Sequence, residues 1–397
     1  MKNIIRTFAL GLLLVPFALS SDDTRRPNSN LRFVAHEGAR NSVEQNKRFI
    51  APYILATRDS RTLGTIGNTM VSDWTEGDVV FEDISDYTGV GRQWSANVFK
   101  NSDLAQRTGS YSWKNCLVTP SVNPYNAGMK WGLRGYNVPH CEFIDCDFFA
   151  IPQEHGLYIS NYEGSVVDNC TFIRVGSQGV QFAHRSSSYQ QYSADNRPYK
   201  KKPIHILRDS HFIDCAQDGT RPGYNASYFN PGSSEFPGTL LIEDCSFVCK
   251  WIRPVGYFQS YSTGALVVTP MQGNEPLTDN FMELVYVKNC LFDFTRGNRG
   301  IVNIRSTDTV IFEDCCFIAR DHSQPNLNID SYTQYMGTSK TQRIILRNCI
   351  GVGGVKIRVF QRTPNSSQVV SHDVNTYGRE VIINGETGQV ISSGAYN

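Results

Sequence analysis

Short runs in which apolar and polar positions alternate recur through most of this chain. Ser165-Val166-Val167-Asp168, Ile204-His205-Ile206-Leu207, Leu240-Leu241-Ile242-Glu243, Val285-Tyr286-Val287-Lys288, Val310-Ile311-Phe312-Glu313 and Ile344-Ile345-Leu346-Arg347 are rich in β-branched residues. They are too short for helices and predict strands. The runs lead into a marker: an Asp or Asn, then Cys, any residue, and usually an apolar one. It reads at Asn115-Cys116, Asp145-Cys146-Asp147-Phe148, Asn169-Cys170-Thr171-Phe172, Asp214-Cys215, Asp244-Cys245-Ser246-Phe247, Asn289-Cys290-Leu291-Phe292, Asp314-Cys315-Cys316-Phe317 and Asn348-Cys349. Glu82-Asp83-Ile84 is a version without Cys. An Asn or Asp after a strand suits a left-handed turn, and the Cys and Phe then alternate back toward an apolar interior.

Residues 141–182 contain the unit twice. Asp145-Cys146 returns 24 residues later as Asn169-Cys170, and Gly156-Leu157-Tyr158-Ile159 is answered 23 residues on by Gly179-Val180-Gln181-Phe182. Two markers recurring in step define one repeated supersecondary unit. At about 3.3 Å per residue such a unit forms three short strands with bends between them. The spacings between successive marker Cys are 30, 24, 45, 30, 45, 25 and 34 residues, a fixed unit carrying insertions, which a solenoid permits.

The patterns NCTF, GLYIS and GVQF resemble the right-handed parallel β-helix proteins, the pectate-lyase-like superfamily, over roughly residues 78 to 360. The resemblance implies an all-β fold, a right-handed parallel β-helix solenoid with an N-terminal cap. The chain is expected to divide into 1–20 signal peptide, 21–77 leader and N-terminal cap, 78–363 parallel β-helix, and 364–397 C-terminal cap or tail. Caps are expected because open solenoid ends leave strand edges unpaired. In many relatives an outer groove binds polysaccharide, and several cleave uronic-acid chains by β-elimination. The paired Asp and Gly-His-Gly signatures of polygalacturonases are not found. Nor is the acidic calcium cluster of pectate lyases, so no cofactor or metal ligand set is indicated, and calcium is the ion the resemblance leaves open.

Lys2 and Arg6 precede the apolar stretch Phe8 to Leu19, which ends near the small residues Ala18 and Ser20. This is a secretory signal pattern, shorter than the roughly 20 residues a span wants, so the expectation is a secreted or periplasmic chain with no membrane span after processing. The balance of 38 basic against 37 acidic residues argues against a nucleic-acid partner. The oligomeric state is not legible. Eleven Cys in an exported chain invite disulfides. Side chains stacked in register about 4.8 Å apart do not supply the torsion a disulfide needs, so the marker Cys are expected as buried, unpaired thiols. A pairing among Cys141, Cys249 and Cys316 stays open.

Insertions are expected at 186–203, 217–238, 270–280 and 321–341. The first two mix Tyr189, Tyr192, Tyr199, Tyr224, Tyr228 and Phe229 with Arg197, Lys200, Lys201, Lys202 and Arg221. Aromatic faces among cations suit a sugar chain bearing acid groups, and packing of the loops on the barrel is the plain alternative. Aligning Gly132, Gly156 and Gly179 sets Leu133-Arg134-Gly135-Tyr136, Leu157-Tyr158-Ile159-Ser160 and Val180-Gln181-Phe182-Ala183 side by side. By alternation Arg134, Tyr136, Tyr158, Ser160 and Gln181 then face outward, with Trp131, Glu154 and His155 at one border of the sheet, and Asn161, His184 and Arg185 at the other.

β-Elimination needs a base for the C5 proton, a group neutralising the carboxylate and an acid for the leaving oxygen. His155 or His184 suits the base, Tyr158 the acid, and Arg134 or Arg185 the carboxylate partner. Trp131, Tyr136, Glu154, Gln181, Tyr189 and Tyr192 are the expected substrate contacts. Hydrolysis would need two facing carboxylates, of which only Glu154 is evident. A non-catalytic glycan-binding or surface structural protein is the third reading.

Overall fold

The computed structural model describes residues 79–82, 85–86, 111–114, 117–118, 133–136, 140–149, 151, 155–160, 164–183, 202–215, 223–230, 237–249, 263–270, 280–297, 300–322, 324–331, 339–363 and 366–396. The expected signal peptide and residues 21–77 lie outside them. The regular structure of the described residues is all β. Successive strands visit three sheets in a constant order. One coil reads Gly164–Asp168 in the first sheet, Thr171–Ile173 in the second and Gln178–Ala183 in the third; the next reads Ile204–Arg208, His211–Ile213 and Gly223–Asn230. Neighbouring coils pair in parallel in every sheet. Among the described residues the first sheet holds eleven strands and the second and third nine each, and Arg296–Gly297 pairs with Asp321–His322 in a separate two-stranded sheet. Ser366–Asp373, Arg379–Asn384 and Val390–Ala395 break the pattern by pairing antiparallel.

The corner between first and second sheets is two residues long on each described coil, and its leading residue is left-handed. Asp145, Asn169, Asp209, Asp244, Asn289, Asp314 and Asn348 have φ between 47° and 55°. Asn169, Asn289 and Asn348 each donate a side-chain N–H to the carboxylate of the corner Asp one coil earlier. The marker therefore sits at one corner with one exception. On the coil 204–230 the corner is Asp209-Ser210, and Asp214-Cys215 falls at the next corner, after His211–Ile213. Ser210 Oγ donates to the Arg208 carbonyl at 2.8 Å, the same local bond the Cys make, so a hydroxyl replaces a thiol without changing the turn.

The thiols that follow the turn point inward. Cys170 Sγ donates to the Asp168 and Phe143 carbonyls at 3.3 and 3.4 Å, and Cys349 to those of Arg347 and Phe312, both at 3.4 Å. All ten described cysteines are buried thiols outside any disulfide, Cys141, Cys249 and Cys316 included. Burial pushes the Cys215 thiol up to about 12 and raises Cys290 and Cys349 as well. Cys116 lies outside the described residues.

Two residues further on, phenylalanines form a column. Phe148, Phe172, Phe212, Phe247, Phe292 and Phe317 stack ring on ring, with centroids 4.6 to 5.0 Å apart. The column ends at Gly351, the second-sheet partner of Phe317, where Val374 of the closing segment occupies the space a Cβ would take. Each ring is fully buried, so the stack forms the spine of the core.

A second column runs along the outside of the first sheet, at the last residue of each parallel strand and at Glu380 of the antiparallel strand Arg379–Asn384. Asp168, Arg208, Glu243, Lys288, Glu313, Arg347 and Glu380 are partners in register and alternate in sign without a break. Arg208 meets Asp168 at 3.0 Å, Glu313 meets Lys288 at 3.2 Å and Arg347 at 3.1 Å, and Arg347 meets Glu380 at 2.6 Å. A slip of one coil would set like charges together, so the ladder fixes the stacking order. Burial alone pushes the Glu313 carboxyl up, but hydrogen bonds from Lys288, Arg347 and Tyr286 outweigh it and hold the group below its ordinary value. A depressed carboxylate contributes stability that is present above its unfolded pKa, about 4.3, and is lost as pH falls through the lower folded value. Urea unfolding in steps from pH 6 to 3 should show the wild type losing stability below about pH 4.3 more steeply than Glu313→Gln. Parallel pH profiles would refute this role for Glu313.

Two expected insertions contain strands of the third sheet. Gly223–Asn230 lies within 217–238 and Asn326–Ile329 within 321–341. Tyr224, Asn225 and Ser227 give the first no apolar period of its own, and pairing with neighbouring coils decides its conformation.

Candidate functional site

The third sheet carries the residues the sequence groups together. Leu133–Tyr136, His155–Ser160 and Gln178–Ala183 are adjacent strands, in the register the glycine alignment predicts. Arg134 pairs with Tyr158, Tyr158 with Gln181, and His155 with Gln178. The glycines are required by the core. A Cβ on Gly179 would stand 2.5 Å from the Phe212 ring, and one on Gly156 would stand 2.8 Å from the Gly179 carbonyl oxygen. The His155 and Tyr158 rings stack with centroids 5.3 Å apart and 23° between planes.

Arg134 and Tyr136 are placed by their backbone alone. Trp131, Glu154, Asn161, His184, Arg185, Tyr189 and Tyr192 lie outside the described residues. In the expected outward row Tyr158 is 2% and Gln181 4% exposed, and His155 at its border is 6% exposed.

The same row continues down the sheet as a hydrogen-bonded ladder that sequence reading missed. Ser227 Oγ donates to Gln178 Oε1 at 2.7 Å. Tyr224 lays its ring over Gly264, and its hydroxyl accepts from Asn303 Nδ2 at 2.8 Å. Asn328 Nδ2 donates to Asn303 Oδ1 at 3.0 Å. Beyond them Arg305 donates to the Ser331 carbonyl and to Thr269 Oγ1, both at 2.8 Å. The available signal was Tyr224-Asn225-Ala226-Ser227 itself, a polar strand whose register only the preceding coil reveals. Asn225 stands out, fully buried with neither side-chain polar atom hydrogen-bonded, where the adjoining strands have Gly179 and Ala265.

Chemically the arrangement near Tyr158 offers an imidazole and a phenol in ring contact, beside a strand bearing a guanidinium. No cluster of three metal-ligating side chains occurs among the described residues, and no helix among them is long and apolar enough to cross a membrane. No family model, curated protein or solved structure matches the chain.

Proposed function

We propose that this chain is an exported, right-handed parallel β-helix of the pectate-lyase-like kind that acts on an acidic polysaccharide, as a lyase cleaving a uronic-acid chain by β-elimination. Right-handedness follows from the strong preference of parallel crossovers. The observation that carries the activity is the grouping of Arg134, Tyr158 and Gln181 on three adjacent strands, with the His155 ring stacked on Tyr158. In this reading His155, or His184, takes the C5 proton, Tyr158 protonates the leaving oxygen, and Arg134 or Arg185 neutralises the carboxylate. The burial of His155, Tyr158 and Gln181 favours a second reading, in which the coil presents glycan-binding loops and performs no chemistry. Hydrolysis has less support, since Glu154 has no evident carboxylate partner.

A panel of uronic-acid polymers, followed by absorbance of the unsaturated product and by reducing ends, separates these readings. New absorbance is the expected result; reducing ends without it indicate hydrolysis; binding without turnover indicates a glycan-binding protein. On an active substrate, replacing the base, His155→Ala or His184→Ala, should cost on the order of 100-fold or more in rate. Full activity in both variants would remove the site from consideration.

A further inference from the structure

The outer surface of the first sheet is independent of the site above, and it is unusually ordered. Beside the charge ladder, two residues earlier on each strand, runs the row Val166, Ile206, Leu241, Tyr286, Ile311 and Ile345, partners in register on six consecutive strands. All but Ile345 are partly solvent-exposed. Two residues earlier again lie Ile204, 49% exposed, then Thr239, partly exposed Leu284 and Thr309. At about 4.8 Å per strand this row of five aliphatic side chains and Tyr286 is about 24 Å long, a continuous and mostly apolar strip of the kind that marks a protein contact.

We propose that this face pairs with the same face of a second copy of the chain, about a two-fold axis that runs along the strands and passes between Gly238–Glu243 and Met282–Lys288. The argument is charge complementarity. A two-fold of that direction keeps each column opposite itself and reverses the order of the strands. With the axis on a strand, the alternating ladder would oppose like charges. With the axis between these two strands every opposition is favourable: Asp168 faces Arg347 of the other copy, Arg208 faces Glu313, and Glu243 faces Lys288, each twice by symmetry. The same operation lays Ile206 on Ile311 and Leu241 on Tyr286, and brings exposed Ile204 over Thr309. An isologous interface requires such self-complementarity, and alternating charge beside an apolar row supplies both register and contact area.

Sedimentation equilibrium of the purified chain from about 1 to 200 μM tests it, in the concentration range of interfaces of this modest size. The expected result is a monomer–dimer equilibrium that Leu241→Lys shifts by at least tenfold toward monomer, since the row is solvent-facing and the monomer fold is kept. Glu243→Lys should also give monomer, and Glu243→Lys with Lys288→Glu should restore the dimer, because the double swap again sets unlike charges opposite each other across the axis, while within each copy it leaves like charges beside Arg208 and Glu313. A monomer at every concentration overturns the proposal, as does a dimer indifferent to Leu241→Lys and Glu243→Lys. Association only with a different protein or with a glycan overturns it equally. Circular dichroism of each variant separates loss of pairing from loss of fold.

Discussion

Phe212→Ala should lower the unfolding free energy by about 3–5 kcal/mol, the range for an aromatic ring deleted from a packed core. Phe212 is fully buried, with Phe172 on one side at 4.6 Å and Phe247 on the other at 4.9 Å, nearly parallel to both. Its removal forfeits two stacking contacts, each worth about 0.5–1.5 kcal/mol beyond area burial. The gap cannot close by a shift of the neighbouring rings, because each is held by its own strand in the second sheet. Strands stacked in parallel in this way draw much of their stability from contacts between adjacent coils. The lesion therefore touches the contacts of this coil with both the coil before it and the coil after it. Urea unfolding should show a lower midpoint and a broader transition, as the two halves begin to separate. A loss below about 1 kcal/mol would contradict the spine assigned to this column.

Gly164→Ala is the second large effect, and its cause differs. Gly164 opens its strand at φ +125°, a conformation that side-chain-bearing residues rarely adopt, and an added Cβ would lie 1.8 Å from the Ile204 carbonyl oxygen on the next coil. The obstacle is backbone, so no rotamer relieves it. Strain of about 1–3 kcal/mol is joined by displacement of a paired strand, and the expected cost is at least about 3 kcal/mol. Gly354→Ala is the control. That glycine has φ +74° but nothing within 4 Å of a Cβ, so only the left-handed penalty of about 1–2 kcal/mol applies. Equal losses in the two variants, measured by thermal or urea unfolding, would show that the close approach to Ile204 carries no energy.

Much of this architecture was legible because the repeat writes one residue type at one place per coil. The corner Asp or Asn and the Gly156/Gly179 alignment each needed only local sequence, and the third-sheet register follows from them. The misassignment of Asp214-Cys215 shows the limit. Tracking Cys led past Asp209-Ser210, whereas the Phe three residues after the turn, Phe172 and then Phe212, marks the corner without a gap from Asp145 to Asp314. The charge ladder was invisible for another reason. Arg208 and Asp168 are 40 residues apart, and nothing local in either strand says that their ends coincide. The burial of His155, Tyr158 and Gln181 likewise depends on chain from elsewhere, so alternation gave the direction of the side chains and not their access to solvent.

The two-residue corner between the first and second sheets has a consequence for how such a chain can change over generations. Length varies freely elsewhere: four residues join Thr171–Ile173 to Gln178–Ala183, while 249–262 do the same between Ser246–Val248 and Thr263–Pro270. At the first corner one extra residue would reverse which face of the following strand looks inward, turning a phenylalanine out of the stack and its polar neighbours in. An insertion or deletion at that corner would therefore disrupt the core more than one at the others. The molecule divides into a fixed reading frame and variable ground, and new surface chemistry can be tried on the second without renegotiating the first.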